Sequence, residues 1–322
     1  MSEASGKRVV GNSKLKLVFF GTPDFAVQSL EALVHSHHEV AGVVTQPDRP
    51  KGRGRKVVAS PIKRLAQERG LSVFQPEKAS SPEFVQKLHE LGPDLIVVAA
   101  YGEILKRDVL QAPVRGSINV HASLLPKYRG SSPIQAAIIN GDEVTGVTII
   151  QMDERMDTGD ILGQTEVPID VNDTASTLHD KLAQVGARLL VETVDQIERG
   201  TIVRTPQDDE AATYTKRLRK EDGAIDWNVP ADRLHNFVRA MNPWPVAYTR
   251  GGKFRIWMTS VPSEQLETAE PGTVMRVDEG ELLVATLEGA VRIERIQVAG
   301  SRPMSAEEFL RGHELRAGEE LR

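Results

Sequence analysis

From Leu15 to Gly200, short apolar runs alternate with helix-period segments, and no other feature constrains the fold as much. Strand–helix–strand repeats build an open parallel sheet, because each helix crosses back over the sheet to start the next strand. Leu15–Phe20 (LKLVFF) reads as the first strand. The Gly21-Thr-Pro-Asp-Phe25 turn leads into a helix, with Thr22 able to cap it and Pro23 suited to its first position. Val27, Leu30, Leu33 and Val34 then share one helical face. Val40–Thr45 is the second strand. Ser60-Pro61 and Ser81-Pro82 repeat the cap-plus-proline device, opening helices that end near Gly70 and Gly92. Leu95–Ala100 is almost wholly apolar, as a strand covered on both faces must be. Ser117–His121, Val147–Met152 and Ile161–Val167 are further strands. An amphipathic helix runs from Ala175 to Arg199, and Gly200 ends it.

Beyond this region the texture changes. Thr201–Thr213 is polar and aperiodic, and reads as a linker between a domain over 15–200 and a second over 214–322. The total of 322 residues suits two domains at roughly 150 residues each. In the second, a helix over Ala231–Met241 precedes four short strand candidates: Phe254–Met258, Thr273–Val277, Leu282–Thr286 and Ala290–Val298. Asp278-Glu-Gly280 and Glu288-Gly289 provide tight turns, and Ser305-Ala-Glu-Glu308 is a capping box for a short last helix. Short strands in such a small segment suggest an OB-like β-barrel. Residues 1–14 are polar, with no apolar core for a secretory signal, and are expected to form a loose tail.

The chain has no cysteine, which excludes disulfide scaffolds, thiolate metal sites and cysteine nucleophiles, and fits a reducing cytosol. No run approaches the roughly 18 apolar residues of a membrane span. Net charge is −5, so nucleic-acid binding would require a local basic patch. Thr45–Lys63 supplies one, with Arg49, Lys51, Arg53, Arg55, Lys56 and Lys63 against the single acid Asp48. Its prolines and glycines predict a long exposed loop suited to phosphates. A merely solvated charge run is the alternative. GxxxxGK[ST] and GxGxxG are both absent, so neither a nucleoside triphosphate nor a dinucleotide is indicated.

Ile118–Ile134 (INVHASLLPKYRGSSPI) carries the densest chemistry. Asn119 and His121 are two residues apart on a strand, so both side chains leave the same face. In an open sheet, ligands bind at the C-terminal strand ends. An amide and an imidazole there can aim at one developing oxyanion, or form a structural hydrogen-bonded pair. Met152–Leu162 (MDERMDTGDIL) offers Asp153, Glu154, Asp157 and Asp160. Lacking the spacing of a calcium loop, it fits a carboxylate that orients a histidine better than a metal site, or else a turn of solvated acids. His35-Ser-His-His38 sits at a helix end, where histidines cap carbonyls, with only Glu39 nearby as an acid. Asn242-Pro-Trp-Pro-Val246 is a rigid segment, either core closure or a binding edge.

Together FFGTPDFA, TQPDRPKGRGRK, AYGEIL, INVHASLLPKYRGSSPIQ, GVTIIQMDERMDTGDIL and NPWP make the chain resemble the methionyl-tRNA formyltransferase family, from Leu15 to Arg311. INVH, SLLP and DTGDIL are shared with folate-dependent formyltransferases acting on purine precursors and amino sugars. The basic loop and the C-terminal domain with NPWP select the tRNA enzyme. The resemblance implies a doubly wound Rossmann-like formyltransferase domain followed by a small OB-like β-barrel domain that binds tRNA. It implies formyl transfer from 10-formyltetrahydrofolate to the α-amino group of methionyl initiator tRNA. Asn119, His121 and Asp157 would be the catalytic residues, with Asp157 favouring the charged imidazole. Ser123, Leu124, Leu125 and Pro126 would lie against the folate, and Arg49, Lys51, Arg53, Arg55 and Lys56 against the tRNA. The folate is a co-substrate. No metal, tightly bound cofactor or membrane is expected, and the chain is expected to act as a cytoplasmic monomer. The rival readings are a sugar-nucleotide or purine-precursor formyltransferase, a formyltetrahydrofolate hydrolase using water as acceptor, and a non-catalytic RNA-binding protein.

Overall fold

The computed structural model describes residues 14–51, 56–264, 267–278 and 280–321. The expected tail up to residue 13 lies outside them. The chain forms two units, one comprising Met1–Arg129, Gly146–Val167 and Asp180–Thr213, the other Gly130–Thr145, Pro168–His179 and Tyr214–Arg322. The second therefore takes in two stretches from within the Rossmann-like region of the sequence.

The region up to residue 200 forms strands β1 (Lys16–Gly21), β2 (Glu39–Val44), β3 (Arg49–Lys51), β4 (Lys56–Val58), β5 (Val73–Phe74), β6 (Leu95–Ala99), β7 (Ser117–His121), β8 (Arg129–Gly130), β9 (Val144–Gln151) and β10 (Ile161–Pro168). Its helices are α1 (Phe25–His35), α2 (Pro61–Glu68), α3 (Pro82–Leu91), α4 (Arg107–Leu110), α5 (Pro133–Asn140) and α6 (Ala175–Arg199). The main sheet has the order β10-β9-β7-β6-β1-β2-β5. The pairs from β5 to β7 are parallel. In contrast, β9 runs antiparallel to β7, so the sheet is mixed rather than wholly parallel. An apolar run does not disclose its direction, since a strand covered on both faces reads alike either way.

Both serine–proline starts form as the sequence predicts. Ser60 accepts from the Lys63 N–H and Ser81 from the Phe84 N–H, each followed by proline in the first turn. Gly92 closes α3 in the left-handed conformation, where glycine avoids the Cβ clash. Thr22 does not cap α1; its hydroxyl donates instead to the Tyr101 carbonyl at 2.9 Å, and α1 starts at Phe25 without a side-chain cap. On one face of the sheet, Val18, Phe20, Val44, Ile96 and Val98 pack with Phe84, Leu88, Tyr101 and Leu105. The basic segment is a two-stranded ribbon rather than an irregular loop, with β3 and β4 pairing from Arg49↔Val58 to Lys51↔Lys56. The aperiodic 201–213 segment is tied down: Thr205 and Ile161 exchange backbone hydrogen bonds of 2.8 and 3.0 Å.

The second unit adds β11 (Tyr214–Thr215), β12 (Ala247–Thr249), β13 (Phe254–Ser260), β14 (Val274–Asp278), β15 (Glu281–Ala285), β16 (Ala290–Val298) and β17 (Met304–Ser305), with α7 (Ala231–Ala240) and α8 (Ala306–Gly312). Its antiparallel sheet has the order β12-β13-β16-β15-β14, and β17 pairs with β16. The C-terminal segment joins the two outer strands. Val274 N–H donates to the Glu319 carbonyl and Leu321 N–H to Gly272, while the Thr249 hydroxyl and Arg250 guanidinium reach the Leu321 and Glu320 carbonyls. Trp227, Leu234, Phe254, Ile293, Phe309 and Leu321 fill the core, which also takes Ile139 of α5. Among the described residues, no helix is long and apolar enough to cross a membrane.

Candidate active site

Topology locates the site before any side chain does. The chain enters the sheet at β1, adds β2 and β5 on one side, then returns to add β6 and β7 on the other. Strand order therefore reverses between β1 and β6, where open α/β sheets bind ligands at the C-terminal strand ends. At this edge a Cβ on Gly21 would stand 3.1 Å from the Ala99 carbonyl and 2.8 Å from the Ala26 Cβ, so glycine lets β1, β6 and α1 close together. Tyr101 follows β6 as a buried side chain standing edge-on to Phe20 at 5.2 Å. Burial raises its phenol pKa, so the hydroxyl stays neutral.

One strand along, Asn119 and His121 share a face of β7, between partners Val98 and Ile150 and opposite Thr148. Asn119 is half-buried, and His121 is 6% exposed. The His121 Nε2 lies 3.0 Å from the Tyr128 carbonyl oxygen. A carbonyl only accepts, so Nε2 carries the proton and donates. In the neutral ring this leaves the lone pair on Nδ1, which faces the Asp157 Oδ2 at 3.7 Å. That separation is too long for a hydrogen bond but short enough for strong attraction once Nδ1 is protonated. The sequence-predicted trio thus resolves into a strand pair, Asn119 and His121, and a carboxylate delivered by a loop.

That loop, between β9 and β10, is built around Asp157. Its φ of 55° is unusual for a residue with a Cβ and costs about 1–3 kcal/mol unless its surroundings enforce it. Asp153 accepts from the Thr158 hydroxyl at 2.9 Å and from the Arg155 N–H at 2.9 Å, so it is spent on bracing the loop. A Cβ on Gly159 would fall 1.6 Å from the Gln151 carbonyl oxygen, which fixes glycine there. Two residues not singled out from sequence complete the brace. The Gln207 amide donates to the Asp157 carbonyl at 2.8 Å and to the Gly159 carbonyl at 2.7 Å. Its oxygen accepts from the Arg129 Nε and Nη2 at 3.1 and 2.9 Å, and Arg129 also meets Asp209 at 2.7 Å. Arg129 is 1% exposed, and its guanidinium holds the Asp209 carboxyl below the usual carboxylate range. The only sequence signal for Arg129 is its place in the basic Lys127–Gly130 segment; Gln207 lies in a stretch with no pattern at all.

The backbone of Ser123–Pro126 is held from within, while the Leu124 and Pro126 side chains are half-buried. Ser123 is fully buried and donates to the Lys127 carbonyl; Thr148 donates to the Ser123 carbonyl and accepts from the Leu125 N–H; Gln164 donates to the Leu125 carbonyl. A cleft of about 400 Å³ opens beside α4, lined in part by Arg107, Leu110, Val114, Met152, Asp153 and Glu154. Its last three residues begin the loop that carries Asp157.

On the basic ribbon, Arg49 is exposed, and Lys51 and Lys56 are paired in the β3–β4 register. Arg53 and Arg55 lie outside the described residues. Lys63 is engaged with Asp48, whose carboxyl it holds below the usual range with help from Gln75. The histidine run is resolved by α6. His35 caps the Glu31 carbonyl as expected, while His37 and His38 meet Glu198 and Asp195 at 3.1 and 3.0 Å. His38 is buried, unlike the exposed cap expected there, and its Nδ1 accepts from the Leu15 N–H at 3.3 Å. Its Nε2 therefore carries the proton and donates to Asp195. A metal on Nε2 would require the opposite tautomer, turning two N–H groups against each other, so this cluster is a structural tie between β1, β2 and α6.

Compared with known proteins, residues 15–194 match the formyl transferase family and residues 217–314 match the formyl transferase C-terminal domain. The methionyl-tRNA formyltransferase of Acetivibrio thermocellus is 50% identical over 309 residues, 95% of this chain and 99% of that one. That of Desulforamulus reducens is 49% identical over 306 residues, 94% of this chain and 96% of that one. Among solved structures, the N-formyltransferase from Helicobacter canadensis, in complex with folinic acid and dTDP-3-aminofucose, superposes with a TM-score of 0.68 at 22% identity, over 90% of this chain and 100% of that one. HypX from Aquifex aeolicus in complex with tetrahydrofolic acid gives 0.60 at 19% identity, over 92% of this chain and 47% of that one. These two likenesses bear on the fold.

Proposed function

Because the chain belongs to the methionyl-tRNA formyltransferase family, we propose that Asn119, His121 and Asp157 carry its formyl transfer from 10-formyltetrahydrofolate to the α-amino group of methionyl initiator tRNA. The observation that carries this assignment is the fixed tautomer of His121, with Nδ1 facing Asp157. The amine attacks the formyl carbon and its C–N bond forms, leaving a tetrahedral oxyanion. Asn119 donates to that oxygen from the same strand face. His121 acts at Nδ1 alone, since Tyr128 holds its other nitrogen. It takes the proton that the attacking amine loses, and Asp157 stabilises the resulting imidazolium. The formyl carbon–N10 bond then breaks, and the same proton passes to N10.

The donor, a co-substrate rather than a resident cofactor, lies in the cleft beside α4, whose Leu110, Met152 and Val114 provide apolar surface for a pterin. Ser123, Leu124, Leu125 and Pro126 lie against the donor as well, with Leu124 and Pro126 half-buried and open to contact. The basic residues Arg49, Lys51, Arg53, Arg55 and Lys56 meet the tRNA phosphates near its acceptor end, and the second unit supplies further tRNA contact. No step requires a metal, because the formyl group arrives activated on nitrogen. The enzyme works in the cytoplasm, where its tRNA is used, and as a monomer.

The direct test is incubation with formyl donor and charged initiator tRNA, scoring N-formylmethionine. Formylation of an amino sugar or a purine precursor in place of the tRNA would move the enzyme to a sister activity. Folate turnover with no amine present would make it a hydrolase, and tRNA binding without turnover would make it a binding protein.

A further inference from the structure

We infer that Gln207, locked by Arg129, is the positioning residue that holds Asp157 in its reactive geometry. The inference rests on the proposed pairing of His121 with Asp157. Asp157 reaches His121 from a left-handed backbone position at the crest of a loop. Asp153 and Thr158 brace the loop through their side chains. Gln207 holds its backbone, taking the carbonyls of Asp157 and Gly159 with its two amide hydrogens. The carbonyl of residue 157 reports its ψ, so this fork fixes the torsion that sets where its carboxylate emerges.

The fork works in one orientation only. Were the amide turned over, its oxygen would face two carbonyl oxygens, and its NH2 group would face a guanidinium. Arg129 Nε and Nη2 both donate to the Gln207 oxygen, which forbids that turn. Asp209 holds the guanidinium in its place. Arg129 follows Tyr128, the residue whose carbonyl fixes the His121 tautomer. One short segment, 128–129, therefore orients the imidazole directly and the carboxylate through Gln207. A buried arginine and a glutamine 78 residues apart are spent on backbone carbonyls of this loop, an arrangement that core packing alone does not require.

Two variants test this on the full-length enzyme, with Asp157→Asn run beside them. Gln207→Leu keeps the volume and removes all four hydrogen bonds. Gln207→Glu keeps the Arg129 contact but sets an oxygen against the two carbonyls. Both are expected to lower kcat at least tenfold, with KM for donor and tRNA within twofold. Parental kcat in either folded variant overturns the inference. So does a loss of melting temperature with parental kcat at 20 °C, which would make the clamp a structural brace. If Asp157→Asn itself keeps parental kcat, the reacting pair is misassigned. If it is inactive while both Gln207 variants work, only the clamp falls.

Discussion

At the scale of single residues, the site depends on which nitrogen of one imidazole is free. His121→Ala should reduce the rate of formyl transfer by about two to four orders of magnitude, the range typical of a positioned group that takes and returns a proton. Asp157→Asn should cost a similar factor, because a neutral amide cannot stabilise the imidazolium. Single-turnover rates on charged tRNA measure both, and a rate within threefold of the parent for either would falsify the assignment. Asn119→Ala should act on kcat, as the oxyanion exists only after attack; a change confined to KM would make Asn119 a substrate contact. Asn119 and His121 were legible in the sequence because the two-residue strand period alone puts them on one face. Asp157 was not legible by spacing: Asp153, Glu154, Asp157 and Asp160 look alike, and only the left-handed turn and Gly159 decide which carboxylate faces the ring. Arg129 and Gln207 were illegible, since a contact across 78 residues leaves no local pattern.

The elements themselves were easier to foresee, and their weak points follow from the same physics. Ser81→Ala removes the acceptor for the Phe84 N–H, at a cost of about 1 kcal/mol, readable as a lower urea midpoint with unchanged activity. Gly159→Ala should do far more, because its Cβ would meet the Gln151 backbone rather than a yielding side chain. Transfer should fail while α1–α3 and their strands stay folded; full activity in this variant would show that the loop tolerates an open form. Ser60 and Ser81 were read correctly because cap, proline and helix are contiguous. The ribbon was missed because β3 and β4 are three residues each, too short to show a period, and Val57 and Val58 remain exposed. Thr22 was misread for a complementary reason: its side chain answers to Tyr101, far along the sequence, rather than to its own helix.

Across the whole molecule, two histidines give stability a pH dependence. Burial foremost, with the His37 charge, pulls the His38 pKa below the ordinary imidazole value of 6.5, against the pull of Asp195. Burial and then Arg239 do the same to His235. The unfolded chain thus takes up protons near pH 6.5 that the folded chain refuses, so stability is full above that value and declines as pH falls toward the folded values. The melting temperature should drop between pH 7 and 5.5, and His38→Gln should flatten part of that slope; a constant or rising value would contradict it. Two compact units were foreseeable from the change of texture near residue 214, but the membership of Gly130–Thr145 and Pro168–His179 in the second was not, because their apolar pattern continues the first. Ile139 belongs to the second unit's core, and Arg239 donates to the Asp173 carbonyl at 2.7 Å. This interleaving bears on inheritance. A single recombination at residue 213 would transplant the β domain without the helix that covers it, and would leave two orphaned stretches behind. Exchange by one crossover is therefore penalised at both ends of the graft.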